Sequence, residues 1–289
     1  MSAAISVNDQ FSHVGLVAYV SRPTWTTPER AQELAALLTD ARWPWLPWWA
    51  SFSGKHRRDD LKSIRVGGKN GSTPLLNGLL SEKLSMLYMN RARGDGNFTS
   101  VALNLNRDLE NPTHETPYQL RVTCRSSQLP DGRQFSSFIS LAHDLVQATG
   151  SVHAVMGAWP TFDWAICDSW TMRMVLDTSA GDKNLGLPER FGEQLAMASK
   201  WHLFFGRTYA RHPRWGNYLN DTHLAAIGGV DRIRMEVAPA LIQRVGQLTY
   251  VQLTSSIDTA MSAEAGAKRD RLEALMEPIL PKPAPVQDA

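Results

Sequence analysis

Between Arg133 and Thr149, Phe135, Phe138, Ile139, Ala142, Leu145 and Val146 recur at helical spacing, and Gly150 follows. That period gathers them on one face of an α-helix, which the glycine ends. A helix with one apolar stripe has to lay it on a second layer. The neighbouring segments read as that layer. His13–Val20 is a buried strand, Phe98–Leu105 and Tyr118–Cys124 alternate as strands do, and Val152–Trp159 is a short apolar strand. The residues between Leu105 and Tyr118 suggest a long hairpin connection. Thr27-Pro28-Glu29 opens another helix: the Thr hydroxyl caps a free amide, Pro28 fits the first helical position, and Glu29 favours the positive end of the dipole. Ala31, Leu34, Leu37, Leu38 and Ala41 continue it at helical spacing.

The first 160 residues therefore read β-α-β-β-α-β, the order of the split βαβ, ferredoxin-like arrangement. The predicted fold class is α+β, an antiparallel sheet with helices packed on one face, followed by an extended α+β second half. There, Met172–Leu176 and Trp201–Tyr209 read as strands, and Pro188-Glu189 opens a helix. Asn220-Asp221 caps a short helix that Gly228-Gly229 ends. Gln247–Leu253 reads as a strand and Ser262–Glu277 as a terminal helix closed by Pro278. Gly67–Gly78, rich in Gly and Asn, reads as loop. The expected organisation is one domain over 1–280, with a subdivision near 160–185, and a flexible tail over 281–289 that holds three prolines.

Composition excludes several classes. The chain has 289 residues, 43% hydrophobic, with a formal net charge of +2, whereas a disordered chain is poor in apolar residues and strongly charged. Met1–Gln10 lacks the basic and apolar regions of a signal peptide, and no apolar run is long enough to span a bilayer. The 2 cysteines, Cys124 and Cys167, are too few for a disulfide framework or a cysteine zinc site. A cytoplasmic protein is expected. The near-neutral charge argues against direct nucleic-acid binding, which favours a basic excess. Only the stretch from Lys55 to Lys69, with His56, Arg57 and Arg58, is locally basic.

Signatures of chemistry are sparse. The 8 histidines form no HExxH pattern, and no Gly-x-Ser-x-Gly elbow or phosphate-binding Gly-x-x-x-x-Gly-Lys loop occurs. Cys124 sits in an alternating strand, where a thiol packs as a small hydrophobe, and Asp168 beside Cys167 disfavours a thiolate. His202 and His212 flank a predicted strand and, with Asp168 or Asp163, compose the alternative reading, a metal-dependent hydrolase. Asp163 and Asp168 could also pair as acid and base. The main expectation is a binding protein, neither enzyme nor cofactor carrier, since interfaces use aromatics and arginines without fixed spacing.

Two motifs carry a resemblance. One is Met156-Gly157-Ala158-Trp159. The other is Pro213-Arg214-Trp215-Gly216-Asn217-Tyr218-Leu219, followed by His223-Leu224-Ala225-Ala226-Ile227-Gly228-Gly229. Together they resemble immunity proteins of bacterial polymorphic-toxin and type VI secretion systems, in particular the immunity protein 52 family. That family's Trp-x-Asp-x-Arg-Tyr motif has its counterpart in Trp201 to Tyr209, where the acid is missing and Thr208 separates Arg207 from Tyr209. The resemblance implies an α+β protein that neutralises a cognate toxin, typically a restriction-endonuclease-like nuclease. Its motif residues Gly157, Trp159, Arg207, Tyr209, Trp215, Gly216, Tyr218, Gly228 and Gly229 are expected to serve the fold. For the toxin contact the candidates are Trp43, Trp45, Trp48 and Trp49, four indoles in a segment that Pro44 and Pro47 keep from forming a helix, with Arg57 and Arg58. The expected partner is the toxin, without nucleic acid or membrane, and a homodimer is an allowed assembly. With no acidic patch in the sequence, occlusion or blocked toxin assembly suits the charge better than mimicry of nucleic acid.

Overall fold

The computed structural model describes residues 13–22, 24–40, 42, 49–54, 62–65, 72–80, 84–90, 101–105, 118–125, 132–159, 206–260 and 262–280. In chain order these form β1 (His13–Val20), α1 (Pro28–Leu38), β2 (Trp49–Gly54), β3 (Lys62–Arg65), α2 (Thr73–Leu79), β4 (Leu84–Asn90), β5 (Val101–Leu105), β6 (Tyr118–Arg125), α3 (Gly132–Ala148) and β7 (His153–Trp159). After residue 206 come β8 (Gly216–Leu219), α4 (Asp221–Ile227), α5 (Gly229–Val237), β9 (Leu241–Val245), β10 (Leu248–Gln252) and α6 (Ala263–Met276).

Among the described residues the strands form one sheet in the order β3-β2-β4-β5-β6-β1-β7-β8-β10-β9. Every neighbouring pair is antiparallel. The α+β class with an antiparallel sheet is therefore as expected. The four strands foreseen in the first half sit side by side as β7-β1-β6-β5. The chain order differs from the expected six elements, because β2, β3, α2 and β4 intervene between α1 and β5. The second half extends the same sheet through the β7–β8 pairing, in which Ala154 lies opposite Tyr218.

Side chains alternate across the sheet, so its two faces hold different cores. On one face Val14, Leu16, Ala18, Val20, Leu120, Val122, Ala154 and Met156 pack with α1, α2 and α3. The stripe of α3 lies here as its period required: Phe138, Leu145 and Val146 are each 1% exposed. From α1 come Ala31, Leu34, Ala35 and Leu38. On the opposite face, Leu219 and Val251 pack with Leu224, Ile227, Ile233, Val237, Leu272 and Met276 of α4, α5 and α6. Helices thus cover one face beside β1 and the other beside β8 and β10.

The caps follow from residue chemistry. Thr27 Oγ1 accepts from the Arg30 amide at 3.4 Å, and Ser262 Oγ accepts from the Ala265 amide at 3.2 Å. Asn220 Oδ1 accepts from the His223 amide at 2.9 Å, and Gly228, at φ 89°, ends α4 in the left-handed region. Three sequence expectations change. Within the segment read as loop, Thr73–Leu79 is helical and buries Leu75 and Leu79, one turn apart. The described end of the segment read as a strand, Gly206–Tyr209, is a turn closed by the Gly206 amide on the Tyr209 carbonyl at 2.8 Å. Finally, α5 follows α4 at once, where only one short helix was foreseen. The segments 172–176 and 188–205, the subdivision at 160–185 and the tail at 281–289 lie outside the described residues.

Gly216 shows how closely β8 and its neighbour are fitted. A Cβ there would lie 2.7 Å from the Tyr250 hydroxyl oxygen and 2.8 Å from its Cε2. Tyr250 is fully buried and cannot swing into solvent. Gly216→Ala is expected to cost about 1–3 kcal/mol of stability through overpacking, read as a lower urea midpoint with unchanged slope. An unaltered midpoint would show that the ring yields freely.

Candidate functional site

The candidate contact residues Trp43, Trp45, Trp48, Arg57 and Arg58 lie outside the described residues. So do His202, Asp163, Asp168 and Cys167. Trp49 is the first residue of β2. The motif residues converge on one half of the sheet: Gly157 and Trp159 on β7, Arg207 and Tyr209 in the 206–209 turn, Trp215 beside and Gly216 and Tyr218 on β8, and Gly228-Gly229 between α4 and α5.

On the face of the sheet turned away from α1 to α3, the centre is polar. Tyr19 lies opposite Gln119 on one side and His153 on the other, and Val17 opposite Arg121 and Val155. The segment Arg211–Arg214 crosses this face. His153, completely buried, has its Nδ1 2.8 Å from the Tyr218 carbonyl oxygen, and its Nε2 accepts the Arg211 backbone N–H at 2.9 Å. These two contacts fix a neutral imidazole with its proton on Nδ1. The Tyr19 ring stacks on it at 5.7 Å and 11°, and His223 meets it edge-on at 5.3 Å. Burial holds the His153 pKa well below the usual imidazole value, with His223 and Arg211 adding to the depression.

The arginines around this centre are held in place. Arg121 Nε donates to Gln119 Oε1 at 2.8 Å. The Arg214 amide donates to Asn217 Oδ1, and Asn217 Nδ2 donates back to the Arg214 carbonyl, both at 2.7 Å. Gly157 leaves room for the stem of Arg214, whose Cβ would lie 3.3 Å from any Cβ placed there. Burial raises the Tyr19 phenol pKa, while Arg211, Arg121 and Arg214 pull it back. His212 Nδ1 sits 3.1 Å from Glu273 Oε1 and ties the same segment to α6. His212, one of the metal candidates, is thus engaged with a carboxylate. Among the described residues no three His, Cys, Asp or Glu side chains gather as a metal site would require.

A second polar seam joins α3 to the C-terminal strands. His143 Nδ1 lies 2.9 Å from the Tyr218 hydroxyl, and its Nε2 lies 3.0 Å from Gln243 Nε2. Tyr250 packs edge-on to the same imidazole at 4.6 Å, and burial lowers the His143 pKa. Trp215 Nε1 donates to Thr254 Oγ1 at 2.9 Å, and its ring meets Phe135 edge-on at 5.9 Å. These motif residues therefore touch the rest of the fold. Sequence reasoning missed Tyr19, His153, Arg211 and Asn217. The one signal was alternation, which sets His153 and Val155 on the face opposite Ala154 and Met156. Chemically, the polar face positions backbone: both His153 nitrogens are committed to main-chain groups.

That commitment has a pH signature. The folded-state pKa of His153 lies below the unfolded value of ~6.5, so the unfolded chain binds a proton that the folded chain refuses. Stability is expected to be level above about pH 6.5 and to fall as pH drops towards the folded pKa, with His143 contributing in the same direction. Urea denaturation from pH 7.5 to 5, compared between the protein and His153→Asn, checks this. Equal slopes against pH in both would remove His153 as a source of acid sensitivity.

No family model matches the chain, and no curated protein matches it. Among solved structures it is similar to the Pseudomonas aeruginosa T6SS protein PA0821, with a TM-score of 0.59 and 13% identity, over 93% of this chain and 77% of that one. At that identity the likeness is one of fold. No helix among the described residues is long and apolar enough to cross a membrane.

Proposed function

We propose that the chain is an immunity protein that binds and neutralises a secreted antibacterial toxin of a type VI secretion system, by occlusion or by blocking toxin assembly. One observation carries this reading: the chain's fold is similar to that of a T6SS protein, in a match that covers 93% of this chain. The paired motifs around Gly157 and Trp215 agree with it, since they resemble immunity protein 52. The proposed toxin is a restriction-endonuclease-like nuclease. The chemistry of the polar face agrees as well, because His153 and His212 are occupied within the fold.

The contact surface we propose is the indole-rich segment Trp43, Trp45, Trp48 and Trp49, with Arg57 and Arg58. Indoles and guanidiniums dominate the energetics of protein interfaces. The net charge of +2 suits steric cover of the toxin better than an acidic decoy.

Co-expression with a toxin candidate from the neighbouring genes tests the function. The chain is expected to restore growth and to form a complex that survives gel filtration. Survival that does not depend on the chain would overturn the proposal. For the surface, Trp45→Ser combined with Trp48→Ser is expected to weaken the complex by roughly 30-fold or more, as loss of hot-spot indoles does. Thermal unfolding of the free variant separates this outcome from a folding defect. Undiminished affinity would place the contact elsewhere.

A further inference from the structure

Four separate segments line an open cavity of about 470 Å3: the β1–α1 loop with the first turn of α1, the α3–β7 turn, the 206–209 turn and the β9–β10 turn. We propose that this cavity is a binding site for a small non-aromatic polyanion whose oxygens belong to phosphoryl or carboxyl groups. The proposal is independent of toxin neutralisation.

The lining carries the chemistry. Arg22, Arg30 and Arg207 line the cavity together with Thr24, Gln147 and Gln247, and among the described residues no carboxylate lines it. Arginines that line one space favour an anion within it. Each guanidinium presents a planar fork of donors that matches phosphate or carboxylate oxygens. Arg22 makes no ion pair among the described residues. Arg30 Nη1 bonds Glu33 at 2.7 Å, which occupies one of its nitrogens. Glutamine amides add neutral donors, as they do around bound polyanions. Among the described residues no aromatic side chain lines the cavity, so they offer no platform on which a nucleobase would stack.

The cations stand on fixed ground. Thr24 Oγ1 donates to the Ala148 carbonyl at 2.6 Å and joins the β1–α1 loop to the end of α3. Asn220, while capping α4, donates from Nδ2 to the Gly206 carbonyl at 2.8 Å and the Val152 carbonyl at 3.0 Å. One side chain therefore sets the turn that carries Arg207 against the segment leading into β7. A site on such supports loses little freedom when it is filled.

Calorimetric titration with pyrophosphate and with citrate, at constant ionic strength, tests the site, with glucose as the neutral control. At least one anion is expected to bind with one-to-one stoichiometry and to raise the melting temperature, while glucose does neither. Binding of pyrophosphate alone assigns phosphoryl ligands, and binding of citrate alone assigns carboxyl ligands. Arg22→Ala with Arg207→Ala is expected to weaken binding about 100-fold, roughly tenfold for each charged contact. Arg22→Glu alone, at an exposed position, serves if the double variant fails to fold, and is expected to abolish binding. Silence towards both anions, or affinity unchanged in the variants, would overturn the site.

Discussion

Among the described residues, β1 is a strand covered on both faces and both edges. From Val14 to Val20 each residue of β1 is buried, and both of its edges are hydrogen-bonded, to β6 and to β7. A strand with no exposed face needs a layer on each side of the sheet. Leu16, Ala18 and Val20 receive α1 and α3. On the other face Val17 and Tyr19, beside their sheet neighbour Val155, receive Tyr209. Removing either cover would bare a row of apolar side chains, each worth about 1.5–3 kcal/mol when buried.

The two covers differ in kind. Beneath α1 to α3 the packing is apolar, and shape alone is asked of the side chains. Across the other face, Arg211–Arg214 lies over Tyr19, His153, Gln119 and Arg121, and those groups are buried. Polar groups taken out of water have to find partners, and each partner fixes a direction as well as a distance. Asn217 shows the consequence: fully buried, it bonds both the amide and the carbonyl of Arg214 and so sets one path for the backbone. Shape holds one side of β1 and direction holds the other.

This division also decides what could be read from the sequence. The stripe of α3, the Thr27, Asn220 and Ser262 caps and the runs of β1 and β7 are local patterns, and each appears where its residues placed it. α2 was hidden because glycines and asparagines around it mark loop, and although Pro74 stands in its first turn as Pro28 does in that of α1, Ser72 before it makes no side-chain cap as Thr27 does. β8, only four residues long, offers too short a period to recognise, and buries all four because it lies between β7 and β10. The polar face was not legible, since Arg211 meets His153 across 58 residues and no spacing rule connects them. Arg22 and Arg30 escaped, and Arg207 was read only as a motif residue, for the same reason: only the folded sheet brings their segments together.

The sheet order also has a consequence in time. β1 begins at residue 13, yet its neighbours β6 and β7 end at residues 125 and 159. On the ribosome, at about 5–20 residues per second, the strand therefore waits roughly ten seconds or more for its second edge. Throughout that interval an uncharged, strand-forming segment is available to any other open edge. Closing so long a loop before the pairing can reward it is what slows folding in sheets of distant strands. The strand that ends buried on both faces and both edges thus stays open during synthesis until its second neighbour is made, and that is a stage at which a chaperone would matter.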